Sequence, residues 1–484
     1  MIKNKTNDFK KILSKILMAA SFVLFFFSIV FITIAYNISS IKSAMSANLK
    51  DNSVDMEKLR ERNPDFFTFA SLEVKLPGGP VPVPAGGTYE AHLNKMYPQR
   101  NAGDWNFRYA IAAAAGVPGQ LTDEAYVNSF FDINQAFDRA IVSAYDRPFG
   151  DNSAETEFYF TSDKNGILFQ QWLASCINLL MISKIGWRAL YKKDYAMALM
   201  SDLAYLRFSA AERNIGAPHL HSILDYNLYH EYAMAKDIFI DENAYFTGGT
   251  ELTEKFRAAL AKRVEFIKKR PKFPLAIKNT VRLLKMKTSG LALKDKATFY
   301  ALNLWYGDPD APFIEVAEKI FAKKDSPCAE FEKILADARE KYPIRRSFTH
   351  ELAYTGDDLL SLLKFIKFAV NTHPIEPTSY IPAYDLRQYV HLETKLRIIT
   401  FGGLARLFYA ENKRWPDPAK DPQFMNAAGP AAIDIYTNKP FGIIKSENGD
   451  SVTIRSEVKD WYDPVKKTGG LVQLKVDKIG RAHV

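Results

Sequence analysis

The pattern of apolar and polar positions changes character along the chain. Ile16 to Tyr36 is an unbroken run of uncharged residues rich in Phe, Ile, Leu and Val. At about 1.5 Å of rise per helical residue it reaches roughly 30 Å, the thickness of a hydrocarbon core, and predicts a transmembrane helix. From Asp104 the apolar residues recur instead at three- and four-residue steps. Phe130, Ile133, Phe137, Ile141 and Tyr145 are one such stripe, the period of a helix with one buried face. The first helix holds Trp105, Tyr109 and Ala112 to Ala115 and stops near Gly116-Val-Pro-Gly119. Further helices are expected over Leu168 to Tyr191, Ala196 to Ala211, Pro218 to Ile240, Glu251 to Lys269 and Pro274 to Leu284. The same pattern continues at Lys296 to Trp305, Phe313 to Ala322, Cys328 to Glu340, Asp357 to Asn371 and Leu386 to Glu411. Short connections between them predict stacked helical hairpins. No fixed repeat period is visible, which argues against a regular solenoid family. Beyond Trp415-Pro416-Asp417-Pro418, which ends the last long helix, Phe441 to Lys445 and Ser451 to Arg455 flank Glu447-Asn448-Gly449-Asp450. That Asn-Gly pair predicts a β-hairpin with positive φ at both turn residues.

The expected fold class is therefore mainly α, with an N-terminal transmembrane helix, stacked helical hairpins and a small C-terminal α+β hairpin module. Residues 1–15 form a basic head and 16–36 the anchor. A juxtamembrane segment and linker cover 37–103, the helical body 104–385, and the C-terminal module 386–478. Within the linker, Leu76-Pro-Gly-Gly-Pro-Val-Pro-Val-Pro-Ala-Gly-Gly87 combines fixed-φ prolines with permissive glycines, so the membrane-proximal piece is expected to stand apart from the main body.

Charge orients the anchor. Lys3, Lys5, Lys10, Lys11 and Lys15 precede it against Asp8 alone, while Asn37 to Ile41 carry no charge. The positive-inside bias then places the N-terminus in the cytoplasm and the bulk of the chain outside it. A cleaved signal peptide is the rival, but its apolar core is usually about 7–15 residues. The formal charge of +9 is local: twelve Lys and Arg against one acid, Glu265, lie between Lys255 and Lys287. One reading is a solvated helix face. The other is a patch for anionic lipid or acidic polysaccharide, using Lys262, Arg263, Lys268, Lys269, Arg270 and Lys272. Nucleic acid does not fit an extracytoplasmic location.

Apolar residues at 47% and aromatics at 13% support a folded body. With only Cys176 and Cys328, no disulfide framework is needed. Candidate chemistry is sparse. His219, His221 and His230-Glu231 are the densest potential metal ligands, but they lack the i,i+4 pairing of two helical ligands. His221 and Asp225 share a face and read as a cap or core edge. Tyr306-Gly307-Asp308-Pro309-Asp310 lacks the ligand series of a calcium loop, and Glu155 with Glu157 reads as a solvated edge. Phosphate loops, nucleophile elbows and Cys-x-x-Cys pairs are absent from the sequence, so no catalytic, cofactor or metal residue is assigned.

Two stretches carry a resemblance. Ile133-Asn-Gln-Ala-Phe-Asp-Arg-Ala-Ile-Val-Ser-Ala-Tyr-Asp-Arg-Pro-Phe149 is one. Gly403-Leu-Ala-Arg-Leu-Phe-Tyr-Ala-Glu-Asn-Lys-Arg-Trp-Pro416, followed by Asp434-Ile-Tyr-Thr-Asn-Lys-Pro-Phe441, is the other. Together they resemble a family of uncharacterised, membrane-anchored helical proteins of bacteria, whose C-terminal module is similar to that of pseudopilins. Asn438 stands where that pattern has Gly, and Asn tolerates the left-handed backbone conformation such a turn needs. The head lacks the processing motif of a pseudopilin. The resemblance implies a place in the cell envelope and no activity. A structural or binding role follows, with an envelope hydrolase of scattered residues as the alternative. Finally, Ile479-Gly-Arg-Ala-His-Val484 reads as the translation of a sequencing-adapter oligonucleotide, so a non-native tail is expected after Lys478.

Overall fold

A computed structural model of the chain describes residues 57, 60–61, 64–77, 123–147, 149, 167–213, 231–270, 310–341, 381–459 and 471–478. The expected anchor, the basic head, most of the Pro/Gly linker, the four helices expected at 105–115, 274–284, 296–305 and 357–371, and the tail after Lys478 lie outside them. Among the described residues no helix is long and apolar enough to cross a membrane. The chain divides into two compact units. One comprises Met1–Ser53, Val281–Val316 and Ala338–Pro377; the other comprises Val54–Thr280, Ala317–Asp337 and Thr378–Val484 and holds most of the described structure.

The second unit is mainly helical, with a small antiparallel sheet at its end. In chain order its first helices are α1 (Pro64–Ala70), α2 (Glu124–Ile133), α3 (Gln135–Tyr145), α4 (Ile167–Tyr191) and α5 (Tyr195–Arg213). Residues 231–236 are helical and run into a π-helical turn at Asp237–Asp241, followed by α6 (Ala244–Thr247) and α7 (Thr250–Lys269). Next come α8 (Asp310–Ala322) and α9 (Cys328–Lys341), of which Ala317–Ala322 and Cys328–Asp337 belong to this unit, and the long α10 (Ile381–Asn412). Ends agree with the expected helices to within a few residues wherever the stripe is strong.

α4 is the axis of the core. Every residue from Ala174 to Ile185 is buried, which suits a helix surrounded on all sides. Its antiparallel partner α5 follows a tight turn in which Lys193 adopts φ +60° and Asp194 accepts from the Met197 backbone N–H at 3.0 Å, capping the new helix. The Phe130–Tyr145 stripe is split at Asn134. Phe130, Phe137 and Ile141 are fully buried, but Ile133 is 39% exposed. The buried Asn134 amide donates to the Phe130 carbonyl at 2.6 Å and exchanges two bonds with the Lys75 backbone, so its side chain substitutes for the helix ladder that breaks there.

Those bonds reveal a correction. Residues 64–77, expected in a piece that stands apart, pack into the body. Phe66, Phe69, Ala70 and Val74 are buried, Phe69 stacks on Phe208 of α5 with ring centroids 4.1 Å apart, and Asn178 of α4 donates to the Phe69 and Leu72 carbonyls. Asp65 binds Arg207 at 3.1 Å and Arg147 at 2.5 Å. The linker's prolines and glycines begin at Pro77, after this apolar segment has found its place.

α10 seats the π-helical turn and the sheet. At Gly402 an added Cβ would lie 2.9 Å from both Ile240 Cδ1 and Leu474 Cδ2; at Gly403 it would lie 2.8 Å from Leu260 Cδ2. The glycine pair thus forms a notch that larger residues would fill. After α10, Trp415 turns inward against Tyr409 and donates from its indole to the Gly449 carbonyl at 3.0 Å. α11 (Pro422–Ala428) and a 3-10 turn lead to the two-residue strands β1 (Ile433–Asp434) and β2 (Lys439–Pro440). Asn438 between them has φ +56°, as the turn requires. β3 (Gly442–Lys445), β4 (Ser451–Lys459) and β5 (Leu471–Asp477) form an antiparallel sheet in that order, pairing Ile443 with Ile454 and Ile454 with Leu474. Val452, Ile454, Val458, Val472, Leu474 and Val476 are its buried apolar residues. The expected hairpin is present with a third strand added. Its turn differs: Gly449 alone has positive φ, at +71°, because the Asn448 side chain accepts from the Asp450 N–H and the loop closes between Ser446 and Ser451 instead of over two residues.

Candidate functional site

The apolar stripe of α7 runs through Phe256, Ala259, Leu260, Phe266 and Ile267, and Arg263 sits in the middle of it. Helical spacing therefore sends this guanidinium into the core. It is fully buried and meets carboxylates from two other segments. One nitrogen of Arg263 donates to both oxygens of Asp202 on α5, at 2.5 and 2.6 Å, and a second donates to Glu231 Oε1 at 3.2 Å. Its Nε donates to the Thr400 hydroxyl of α10 at 3.0 Å, and the guanidinium carbon lies 5.0 Å from the centre of the Phe239 ring. Asp202 and Arg263 have no exposed side-chain surface and Glu231 only 5%, so it is Arg263 and not water that offsets the burial of the two carboxyls. Burial raises the pKa of both carboxyls, and Arg263 opposes that rise.

A second cluster lies along the same two helices. Glu393 of α10, itself buried, binds Arg270 just past α7 and Arg397 one turn further along α10, each at 2.9 Å. Arg397 also donates to the Pro430 and Ile433 carbonyls, tying α10 to the approach to β1. Arg406, deeper on α10, donates to the Phe239 and Glu242 carbonyls and to the Asn243 side chain. It caps the end of the π-helical turn, and burial pulls its pKa down to about 10. On α4, the buried Lys184 ammonium stacks 4.5 Å from the Trp187 ring, and desolvation lowers its pKa to about 8.

This changes the picture of the basic stretch. Arg263, expected on a surface, is wholly internal. Lys262 donates to the Tyr145 carbonyl at 2.6 Å and stacks on that ring, Lys269 donates to the Phe149 carbonyl and to Glu265, and Arg270 is nearly buried against Glu393. Lys268 is exposed, and Lys272 lies outside the described residues. The five described residues of the six thus do not form one cationic face. Composition counted their charges, whereas the apolar neighbours at i−4, i−3, i+3 and i+4 of Arg263 were the signal that it points inward. Asp202 shows the same signal, with Ala198, Leu199, Tyr205 and Leu206 at those positions.

Of the other candidates, Glu231 has entered the arginine network, while His219, His221, Asp225, His230, Glu155 and Glu157 lie outside the described residues. Among the described residues no group of three or more His, Cys, Asp or Glu is placed to hold a metal ion. Cys176 and Cys328 are both buried and not joined in a disulfide, and burial pushes the Cys328 thiol up to about 12, far from a reactive thiolate. No protein family, curated protein or solved structure matches this chain.

Proposed function

We propose that the protein is a structural or binding component of the bacterial cell envelope, held at the membrane by Ile16–Tyr36 with its body on the extracytoplasmic side. One observation carries the choice of a scaffold over an enzyme. The ionisable groups that converge among the described residues, Arg263 with Asp202 and Glu231 and Glu393 with Arg270 and Arg397, engage one another across helices. A catalytic site instead aims such groups at a substrate. An anionic lipid or polysaccharide partner would meet Lys268 and the half-exposed Lys255 and Arg257, since Lys262, Arg263, Lys269 and Arg270 are engaged within the fold.

Two measurements test this reading. Protease added outside spheroplasts is expected to digest the body and leave a short membrane-embedded fragment, and full protection refutes the orientation. In a strain lacking the protein, Asp202→Asn and Glu231→Gln variants that remain folded are expected to restore any envelope defect. Loss of rescue with the fold intact would transfer the assignment to an envelope enzyme.

A further inference from the structure

We propose that Glu231 is a proton-binding latch: the folded body holds a proton on this carboxyl on the acid side of neutrality and releases it above, leaving a buried negative charge that loosens the segment carrying it. The geometry sets this up. One guanidinium serves two carboxylates, and it serves them unequally. Asp202 receives two bonds of 2.5 and 2.6 Å, Glu231 a single one of 3.2 Å on Oε1. Glu231 is also the member with residual exposure, at 5% against none for Asp202 and Arg263, which gives a proton its route.

The charged groups around Glu231 leave it the weakest-held acid. From α5 it faces Asp202, whose charge opposes its ionisation, and from α7 it faces Arg263 and, at longer range, Arg270. Arg270 is bound to Glu393 of α10, which shares itself with Arg397. From α10 the neutral Thr400 hydroxyl accepts from Arg263, and Lys395 lies over the ring of the adjacent Tyr232. On its own segment the next acid, Asp237, accepts from the Trp187 indole at 2.7 Å on another side. That segment ends in the π-helical turn whose Phe239 and Ile240 abut the Gly402–Gly403 notch. Charge on Glu231 is therefore felt where the turn grips α10.

The sign follows from linkage. Burial pushes the Glu231 carboxyl up to about 7 from its ordinary value of 4.5. Folded chains then bind more protons than unfolded ones between those values, and stability falls as pH rises through that window and levels above it. The test uses the full chain in detergent micelles, unfolded with urea and followed by far-UV circular dichroism. The wild-type unfolding constant is expected to rise by up to tenfold per pH unit more steeply than that of Glu231→Gln across the window. Equal slopes overturn the proposal. Infrared difference spectra of the wild type decide the matter if the variant does not fold. The carbonyl stretch of a protonated carboxyl is expected at about pH 5.5 and lost by about pH 8.5, and an unchanged spectrum overturns the proposal.

Discussion

Replacing Arg263 with Met removes the centre of the buried network while keeping much of the side chain's volume. Both Asp202 oxygens and Glu231 Oε1 lose their donor, and three segments lose their shared tie. Breaking a buried ion pair from one side costs about 3–5 kcal/mol, because the remaining charge stays desolvated and unpaired. Protonation of one acid relieves part of this and the bare pair of carboxyls adds to it, so a loss near 4 kcal/mol is expected, a large share of the roughly 5–15 kcal/mol that holds a typical domain together. If Arg263 lay on a solvated face instead, the change would stay within about 0.5 kcal/mol. Urea unfolding separates the two by the shift in midpoint at constant slope. The companion triple variant, Arg263→Met with Asp202→Leu and Glu231→Leu, is expected to recover most of the loss, since an apolar replacement of a complete buried network is often neutral or stabilising by about 1–4 kcal/mol. An Arg263→Met protein as stable as the wild type would refute the reasoning outright.

Gly402→Ala gains up to about 1 kcal/mol in helix propensity but drives a methyl against Ile240, Leu474 and Val476, so overpacking of about 1–3 kcal/mol is expected to win and lower the melting temperature; a higher melting temperature would show that the notch relaxes freely. Phe69→Ala is expected to cost about 3–5 kcal/mol and to make the chain near residues 64–77 an early site of proteolytic cleavage, whereas unchanged resistance would mean that the segment is not held by its ring.

Strong local periodicity made much of the helical framework legible. α4 and α7 begin and end within a residue of the expected helices because their apolar residues, seen alone, already define a face or a fully buried cylinder. The positive φ of Asn438 was equally readable, since the turn demands it and few side chains accept it. Features that depend on distant partners were not. Arg263 and Asp202 are 61 residues apart and Arg263 and Thr400 are 137 apart, and a charge count gives each cation the same weight whether water or a carboxylate surrounds it. The helix break at Asn134 depends on a segment 59 residues earlier, and the π-helical turn on a glycine pair in another helix.

The docking of α1 also sets a reach. With the proposed anchor ending at Tyr36, the 27 residues from Asn37 to Asn63 are all that lies between the bilayer and the first helix locked into the body. Drawn out fully they extend at most about 95 Å. On that proposal the body hangs on a leash fixed at its own core, and a pull transmitted through the anchor arrives at Asp65, Phe66 and Phe69 of α1.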